Sequence, residues 1–409
     1  MLDFANSGYT TVVLTTVFNA YFVAVVVGSA ASGTLLWTVA VGVGNCVVVV
    51  TAPLLGAIAD RFAAKKRLLI GCVAGCVATT ALLGTIGPGD VTAAMVLIVA
   101  SLVCFASGEY LIAAFLPEIV PQDRIGRMSA YGWSLGYVGG LTTLAMCLGY
   151  IGWARARGLS EAEYVPITLA ITAAMIATAA LPAFLFLRER AVPRALPAGE
   201  SVLRAAFADV ASTLSRARAR IDLFRFLLAL VVFQAGVNTV IVLTAVYARS
   251  EFGLGSSDLV LIVLVVNVAA AFGSLAAGWL QDRAGSVRAL GIALAIWIVA
   301  LVLVWRAVTV AEVWIAANVI GFALGASQSG SRAFIGKLTP ATRTAEFFGL
   351  WAFTNRLASI VGPLTYGLIS YFSGGDQHLA LVATAAFFAA GLALLTRVDE
   401  RRGIAAAAA

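Results

Sequence analysis

The sequence predicts an all-α polytopic membrane protein of twelve transmembrane helices, arranged as two six-helix pseudo-repeats. Three observations predict it. Of the 409 residues, 61% are hydrophobic and only 11% are charged; a soluble domain holds roughly a quarter charged residues and about half apolar ones. The apolar residues fall in blocks of about 20, the length that crosses a bilayer as a helix. Short polar motifs then recur, in the same order, in the two halves of the chain.

Hydropathy places the spans near 5–28, 34–58, 68–87, 92–116, 128–151, 164–187, 223–248, 257–280, 287–306, 311–335, 347–371 and 377–396. The first block does not read as a cleaved signal peptide, because it lacks a basic leader and exceeds the length of such an apolar core. The longest polar segment divides six spans from six. The expected organisation is therefore an N-terminal bundle (1–187), a linker (188–222), a C-terminal bundle (223–396) and a low-complexity cytoplasmic tail (397–409). Within the linker, "VLRAAFADVASTL" reads as an amphipathic helix on the membrane surface.

Of the 27 Lys and Arg residues, 21 fall in one set of loops. These include Arg61, Lys65, Lys66, Arg67, Arg124, Arg127, Arg283, Arg288 and Arg397. Positive loops stay in the cytoplasm, so both termini are expected there, in a bacterial cytoplasmic membrane. The net charge of +7 is accounted for by topology and anionic lipid, and no nucleic-acid partner is expected. The five cysteines all lie within spans, and the one histidine, His378, lies in a distant loop. They read as packing residues, with no metal site or disulfide framework. No cofactor is expected.

The internal repeat is specific. "GAIADR" (Gly56–Arg61) follows span 2, and "GWLQDR" (Gly278–Arg283) follows span 8, 222 positions later. At the same offset Asn45 matches Asn267. "PQDR" (Pro121–Arg124) matches "PATR" (Pro340–Arg343) at an offset of 219, and the same offset relates Glu109 to Gln328. Parallel repeats of this kind suit a transporter whose halves rock about a central site.

The loop "GAIADRFAAKKR" resembles the signature between spans 2 and 3 of the major facilitator superfamily. "LDFANSGYTTVVLTTVF", "LPEIVPQDRIGRMSAYGWSLGYVGG" and "GASQSGSRAFIGKLTPATRTAEFFGLWAFTNRLASIVGP" resemble its vacuole-effluxer-like branch, named for fungal vacuolar amino-acid exporters. The resemblance covers nearly the whole chain. Two positions depart from the usual pattern: Asn19 stands where span 1 commonly has proline, and Ala113 lies near a commonly polar position of span 4. The resemblance implies that Asp60 and Arg61 close the cytoplasmic side, with Asp60 against the N-terminus of span 11. A carboxylate there is favoured by the helix dipole, by about 0.3–1 kcal/mol. By repetition Asp282 and Arg283 would act against span 5.

Ionisable residues inside spans are costly and mark functional candidates. Glu109 lies ~12 Å from the cytoplasmic end of span 4, at 1.5 Å per residue; a proton carrier and a fixed arginine partner are both open to it. Arg356, deep in span 11, is a candidate for a substrate anion or a buried acid. Arg332, one turn beyond Gln328 on span 10, is read as part of the same polar patch, facing the solute or pairing with Glu109 in proton coupling or an ion pair, or as reaching back to the interface. Asn6, Tyr9, Asn19, Tyr21, Asn45, Gln234, Asn238, Asn267 and Asn355 are the uncharged candidates. Each could also be interhelical glue of about 1 kcal/mol. The glycines Gly132, Gly136, Gly139 and Gly140 read as a close-packing face of span 5, and Pro363 in "VGP" as a kink in span 11.

Among function classes, a non-transporting receptor or scaffold would have a sealed apolar interior and a soluble module, neither of which the sequence offers. An intramembrane enzyme lacks any Ser/His, His/Glu or Cys/His constellation, and no GxxxxGK[ST] nucleotide loop is present. The expected function is secondary transport of a small polar solute by alternating access, with proton coupling left open. By resemblance the solute is an amino acid or related metabolite and the direction is export; a drug, sugar or organic anion is the alternative cargo. The partners expected are the substrate and the bilayer, around a monomer.

Overall fold

The computed structural model describes residues 2–191, 193, 201–252, 256–373 and 377–408, and every regular element among them is helical. Spans 1 to 6 are Leu2–Val26, Ala30–Arg61, Lys65–Leu83, Val91–Ala113, Ile125–Ala156 and Glu161–Phe186. A linker helix, Val202–Ala219, follows. Spans 7 to 12 are Ile221–Phe252, Ser256–Ala284, Ser286–Arg306, Val310–Leu338, Thr344–Phe372 and Gln377–Leu395. Among the described residues, ten helices are long and apolar enough to cross a membrane, or eleven if span 12 and the helix after it count as one bent span. Span 11 has the length, 29 residues, but lies outside that apolar class. It carries Glu346, Thr354, Asn355, Arg356 and Ser359, the cost of facing a polar pathway.

Helix ends follow from local chemistry. Span 6 starts at a capping box, in which the Glu163 carboxylate accepts from the Ser160 backbone N–H at 2.8 Å and its hydroxyl at 2.7 Å. Span 10 starts the same way at Thr309 and Glu312. Span 1 departs from a regular helix: Thr10–Thr16 and Phe22–Val26 are π-helical. Within the first of these turns, the Thr11, Thr15 and Thr16 hydroxyls donate back to carbonyls four or five residues earlier. Such widened turns concentrate at functional sites.

The two halves meet along two symmetry-related pairs, span 2 with span 11 and span 5 with span 8. Small residues set both approaches. A Cβ on Gly56 would lie 2.4 Å from the Ala345 carbonyl oxygen, and one on Gly126 2.8 Å from that of Gly278. The span 5 glycine face packs against span 1. A Cβ on Gly139 would meet the Phe4 carbonyl at 2.2 Å. Within the second half, span 10 lies so close to span 8 that a Cβ on Gly325 would stand 1.8 Å from the Ala270 oxygen.

Two regions differ from the sequence expectation. The linker helix does more than lie on a surface: Asp209 takes Arg61 in a bidentate pair at 2.7 and 2.9 Å, Thr213 bonds the Glu346 carboxylate, and Ala205, Ala206 and Asp209 are buried. Linker residues 192 and 194–200 fall outside the described residues. The tail expected at 397–409 forms a helix, Glu400–Ala408, bent by 62° from span 12. Arg402 anchors it to Asp222 at the start of span 7, at 2.5 and 2.7 Å. An alanine-rich stretch has high helix propensity, and here it also has a surface to dock on.

Because the span 8–span 10 contact is backbone against backbone, it has no flexible side chain to yield. Gly325→Val is expected to lower stability by about 1–3 kcal/mol or to prevent folding, read as a fall in the melting temperature of detergent-purified protein.

Candidate functional site

A cavity of about 130 Å³ lies between the halves. Span 4 contributes Ala106, Glu109 and Tyr110, span 5 Trp133, span 7 Gln234 and Asn238, and span 10 Gln328. Span 11 contributes Trp351, Ala352, Asn355, Arg356 and Ser359. At ~30 Å³ per water molecule, this space holds about four waters or one small solute.

Arg356 organises the wall. Its Nη2 lies 3.2 Å from Glu109 Oε2, and its Nη1 donates to Asn45 Oδ1 at 3.3 Å. Three spans of both halves thus meet at one guanidinium. At an effective dielectric of about 20, two charges 3.2 Å apart attract by ~5 kcal/mol, comparable to the several kcal/mol that each ion loses on desolvation. The pair is therefore near balance, and removing either member strands the other at a cost of about 3–5 kcal/mol. Both bonds are longer than the usual 2.7–2.9 Å of charge-assisted pairs, so a ligand can exchange for them.

The remaining polar groups of the wall are under-used. Asn238 Nδ2 donates to the Gln234 carbonyl at 2.9 Å and Asn355 Nδ2 to that of Trp351 at 2.8 Å. Both residues line the cavity. Gln234 Oε1, Trp133 Nε1 and Trp351 Nε1 are buried without a hydrogen-bond partner in the protein. The Tyr110 hydroxyl is a fourth. Buried polar atoms are almost always satisfied, and four exceptions on residues lining one cavity mark groups that await a ligand or water. Trp133, Trp351, Tyr110 and Ser359 were not candidates from sequence; an indole inside "YGWS" or "GLWAF" has the same pattern as a packing residue.

Arg332 belongs to a separate centre. Its Nη1 meets both oxygens of Asp3 at 2.9 and 3.0 Å, Nε donates to Ser129 Oγ at 3.1 Å and Nη2 to the Ser129 carbonyl at 2.8 Å. The Trp133 ring covers it at 5.4 Å. Gly132 makes the room: a Cβ there would be 2.5 Å from Arg332 Nη2. Arg332 is thus neither at the interface nor on Glu109, and Asp3 is the acid that sequence reading did not single out. It looked like the polar start of the chain.

Other candidates lie apart from the cavity. Tyr9 donates or accepts at Ser101 Oγ, 2.7 Å, and stacks on Phe105. Tyr21 Oη donates to the Ile86 carbonyl at 3.0 Å, tying span 1 to the loop after span 3. Asn19 and Asn267 donate to carbonyls of their own helices, Leu14 and Val263. Asn6 Nδ2 is buried and unpartnered, away from the residues lining the cavity. The repeat placed Asn45 and Asn267 at equal depth, yet only Asn45 meets an arginine.

On the arginine-rich face the halves are closed. Asp60 Oδ2 accepts from the Glu346 N–H at 2.8 Å, in the first turn of span 11. Asp282 accepts from the N–H groups of Gly126 and Arg127 at 2.9 and 3.0 Å, in the first turn of span 5. Lys65 is fully buried between Asp60, Glu118 and the Thr344 hydroxyl, so its charge does more than set topology. Arg61 holds the linker helix, and Arg283 stacks on Trp279 with the guanidinium carbon 3.9 Å from the ring centroid.

The two kinds of buried polar group separate by stability. Asp3→Asn, which strands the buried Arg332, is expected to cost about 3–5 kcal/mol. Trp351→Phe, which deletes an unpartnered donor, is expected to leave ligand-free stability unchanged or raised by about 1 kcal/mol. Thermal melts of the purified variants check both.

Comparison with known proteins places the family and agrees with the fold. Residues 20–408 match the family model described as "Vacuole effluxer Atg22 like". The chain is 28% identical over 411 residues to an uncharacterised MFS-type transporter, YxiO, of Bacillus subtilis, covering 98% of this chain and 94% of that one. It is 25% identical to autophagy-related protein 22-1 of Aspergillus niger over 68% of this chain. The match spans about half of that fungal relative's length, 48%. Among solved structures, the human organic anion transporter MFSD10 aligns with a TM-score of 0.73 at 15% identity, over 96% of each chain. FucP in its outward conformation aligns at 0.73 and 15% over 97% of each. The chain, a helical membrane transporter of the major facilitator fold and not an enzyme, belongs to the vacuole effluxer Atg22-like family.

Proposed function

We propose that the chain is a secondary carrier of a small zwitterionic solute, an amino acid or close relative, exported across a bacterial cytoplasmic membrane by alternating access. The observation that carries this reading is the Arg356–Glu109 pair opening on a cavity between the halves. Electrostatics supports this class of solute. A monoanion that took Arg356 would leave the Glu109 carboxylate without its cation unless a proton came with it. A zwitterion replaces the pair with two pairs, its carboxylate on Arg356 and its ammonium on Glu109. The Asn238, Asn355, Gln328 and Gln234 amides and the two indole N–H groups offer the remaining hydrogen bonds. A cavity well below the ~300–1,000 Å³ of drug-sized sites favours a small solute over a drug.

Asp60 and Asp282 act in this reading as gate residues on the cytoplasmic side. Each receives N–H groups at the start of a helix in the opposite half, so the contacts hold only while that side is shut. The closed gate corresponds to an outward-facing carrier. Glu109 is the coupling carboxylate: protonated, it releases Arg356 and no longer holds an ammonium.

Reconstituted vesicles test the reading. Uptake and counterflow of neutral amino acids are expected to exceed those of monocarboxylates and sugars of similar size. Arg356→Ala is expected to reduce flux by about two orders of magnitude or more, the equivalent of losing a buried charge partner. Glu109→Gln is expected to abolish stimulation by a pH gradient while leaving exchange of bound solute measurable. Undiminished gradient-driven flux in Glu109→Gln would remove its coupling role, and preferred transport of a monoanion by the unmodified protein would replace the zwitterion with an organic anion.

The gate has its own readout. Replacing Asp60 and Asp282 together by Asn is expected to shift the carrier toward the inward-open state. Cysteines placed at the cavity wall would then react faster with a reagent added on the cytoplasmic side.

A further inference from the structure

A second concave region lies far from the transport cavity, on the arginine-rich face, where the turn between spans 8 and 9 meets the end of span 12. It encloses about 750 Å³, and Arg283, Arg288, Arg397 and Arg401 line it together with Asp399 and Glu400. Both acids are already engaged. Glu400 accepts from the Ser286 and Val287 N–H groups at 2.5 and 3.1 Å, capping span 9, and lies 3.6 Å from Lys337 Nζ. Asp399 Oδ1 accepts from the Arg402 N–H at 3.0 Å. The helix N-terminus is therefore occupied, and four guanidinium groups are what the basin presents.

The surface below the basin is apolar and points to lipid. On span 8, Leu261, Leu264, Val268, Phe272, Leu275 and Trp279 are all exposed, at spacings of three and four that put them on one helix face. The stripe ends at Arg283, whose guanidinium rests on Trp279. On span 9 the exposed Ile292 and Val299 continue downward from Arg288. Between spans 8, 9 and 10 a further groove of about 470 Å³ is lined by Phe272, Ile296, Val319 and Phe322. Indole rings favour the membrane–water boundary, which puts the basin at headgroup depth and the stripe at acyl-chain depth.

We propose that the basin and the stripe beneath it form a binding site for one anionic phospholipid, headgroup phosphate on the arginines and acyl chains along spans 8 and 9. Charge complementarity selects the anionic headgroup, and the apolar stripe separates a lipid from a free phosphate ion. Because the site joins the span 8–span 9 turn, next to the gate residue Asp282, to the end of span 12, the bound lipid ties elements of the C-terminal half together.

The test is native mass spectrometry of the whole protein released from nanodiscs of phosphatidylglycerol and phosphatidylethanolamine. The protein is expected to retain phosphatidylglycerol in preference. Arg288→Gln/Arg401→Gln is expected to retain about tenfold less or lower, since each basic residue near a membrane surface contributes of order a fivefold factor. Arg288→Lys/Arg401→Lys, which keeps the charge, and Arg124→Gln/Arg188→Gln, exposed arginines elsewhere on the same face, are expected to retain it as the unmodified protein does. Matching melting temperatures without lipid establish that the variants fold alike. The proposal fails if the Gln pair retains as much phosphatidylglycerol as the unmodified protein, or if the Arg124/Arg188 control loses as much. It also fails if phosphatidylethanolamine is held equally, or if millimolar inorganic phosphate displaces the lipid, which would make the basin a small-anion site.

Discussion

Two guanidinium groups inside the bilayer constrain everything else in this molecule. Arg332 and Arg356 both belong to the C-terminal half, and each meets its acid, Asp3 and Glu109, on the N-terminal half. Lipid offers no water to solvate either guanidinium, so each has to be neutralised by the facing bundle. The halves are thereby held by charge where two greasy surfaces would have no preferred register. The same constraint shapes the backbone around it: Gly132 is small because Arg332 and Asp3 pass over it, and span 11, which carries Arg356, falls outside the class of helices apolar enough to cross a membrane.

The two pairs differ in how fully they are satisfied, and that difference divides structure from chemistry. Arg332 is surrounded by both oxygens of Asp3, by the Ser129 hydroxyl and carbonyl, and by an indole face. Its side chain is only 6% exposed, so it offers little to a solute. Arg356 holds Glu109 and Asn45 through longer contacts and borders open volume. A saturated pair is a fastener; an unsaturated one beside a cavity and four unpartnered polar atoms can exchange its bonds. The closed face adds a third layer, where carboxylates cap helices of the opposite bundle and the linker helix spans the joint from Arg61 to Glu346.

Much of this was legible in the chain. The block length and charge bias carried the helical membrane fold, and the offset of 222 residues aligned Asp60 with Asp282, which occupy equivalent positions at the starts of spans 11 and 5. Glu109, Asn45, Gln234, Asn238, Gln328, Asn355 and Arg356 were candidates because polar groups are costly in lipid, and the structure brings all seven to one place. Asn19, Tyr21 and Asn267 were chosen on the same ground and lie elsewhere, because an amide or phenol can be satisfied by a carbonyl of its own or a neighbouring helix at little cost. Trp133 and Trp351 went unnoticed, since an indole's role depends on whether its N–H finds a partner, which no local pattern encodes.

Sequence by itself determined what has to be buried in a membrane and what is costly there: helices of a given length, a basic face, a duplicated Asp-Arg motif, and two arginines inside spans. Hydrophobicity and charge are properties of single residues and short windows, so a linear reading suffices for them. Only the tertiary structure decided which acid serves which arginine, that Asp3 takes Arg332 and leaves Glu109 to Arg356, and that the terminal alanine stretch docks as a helix. Those outcomes depend on distances of about 3 Å between residues 180 to 329 positions apart. Helix packing sets such distances, and the order of residues along one helix does not.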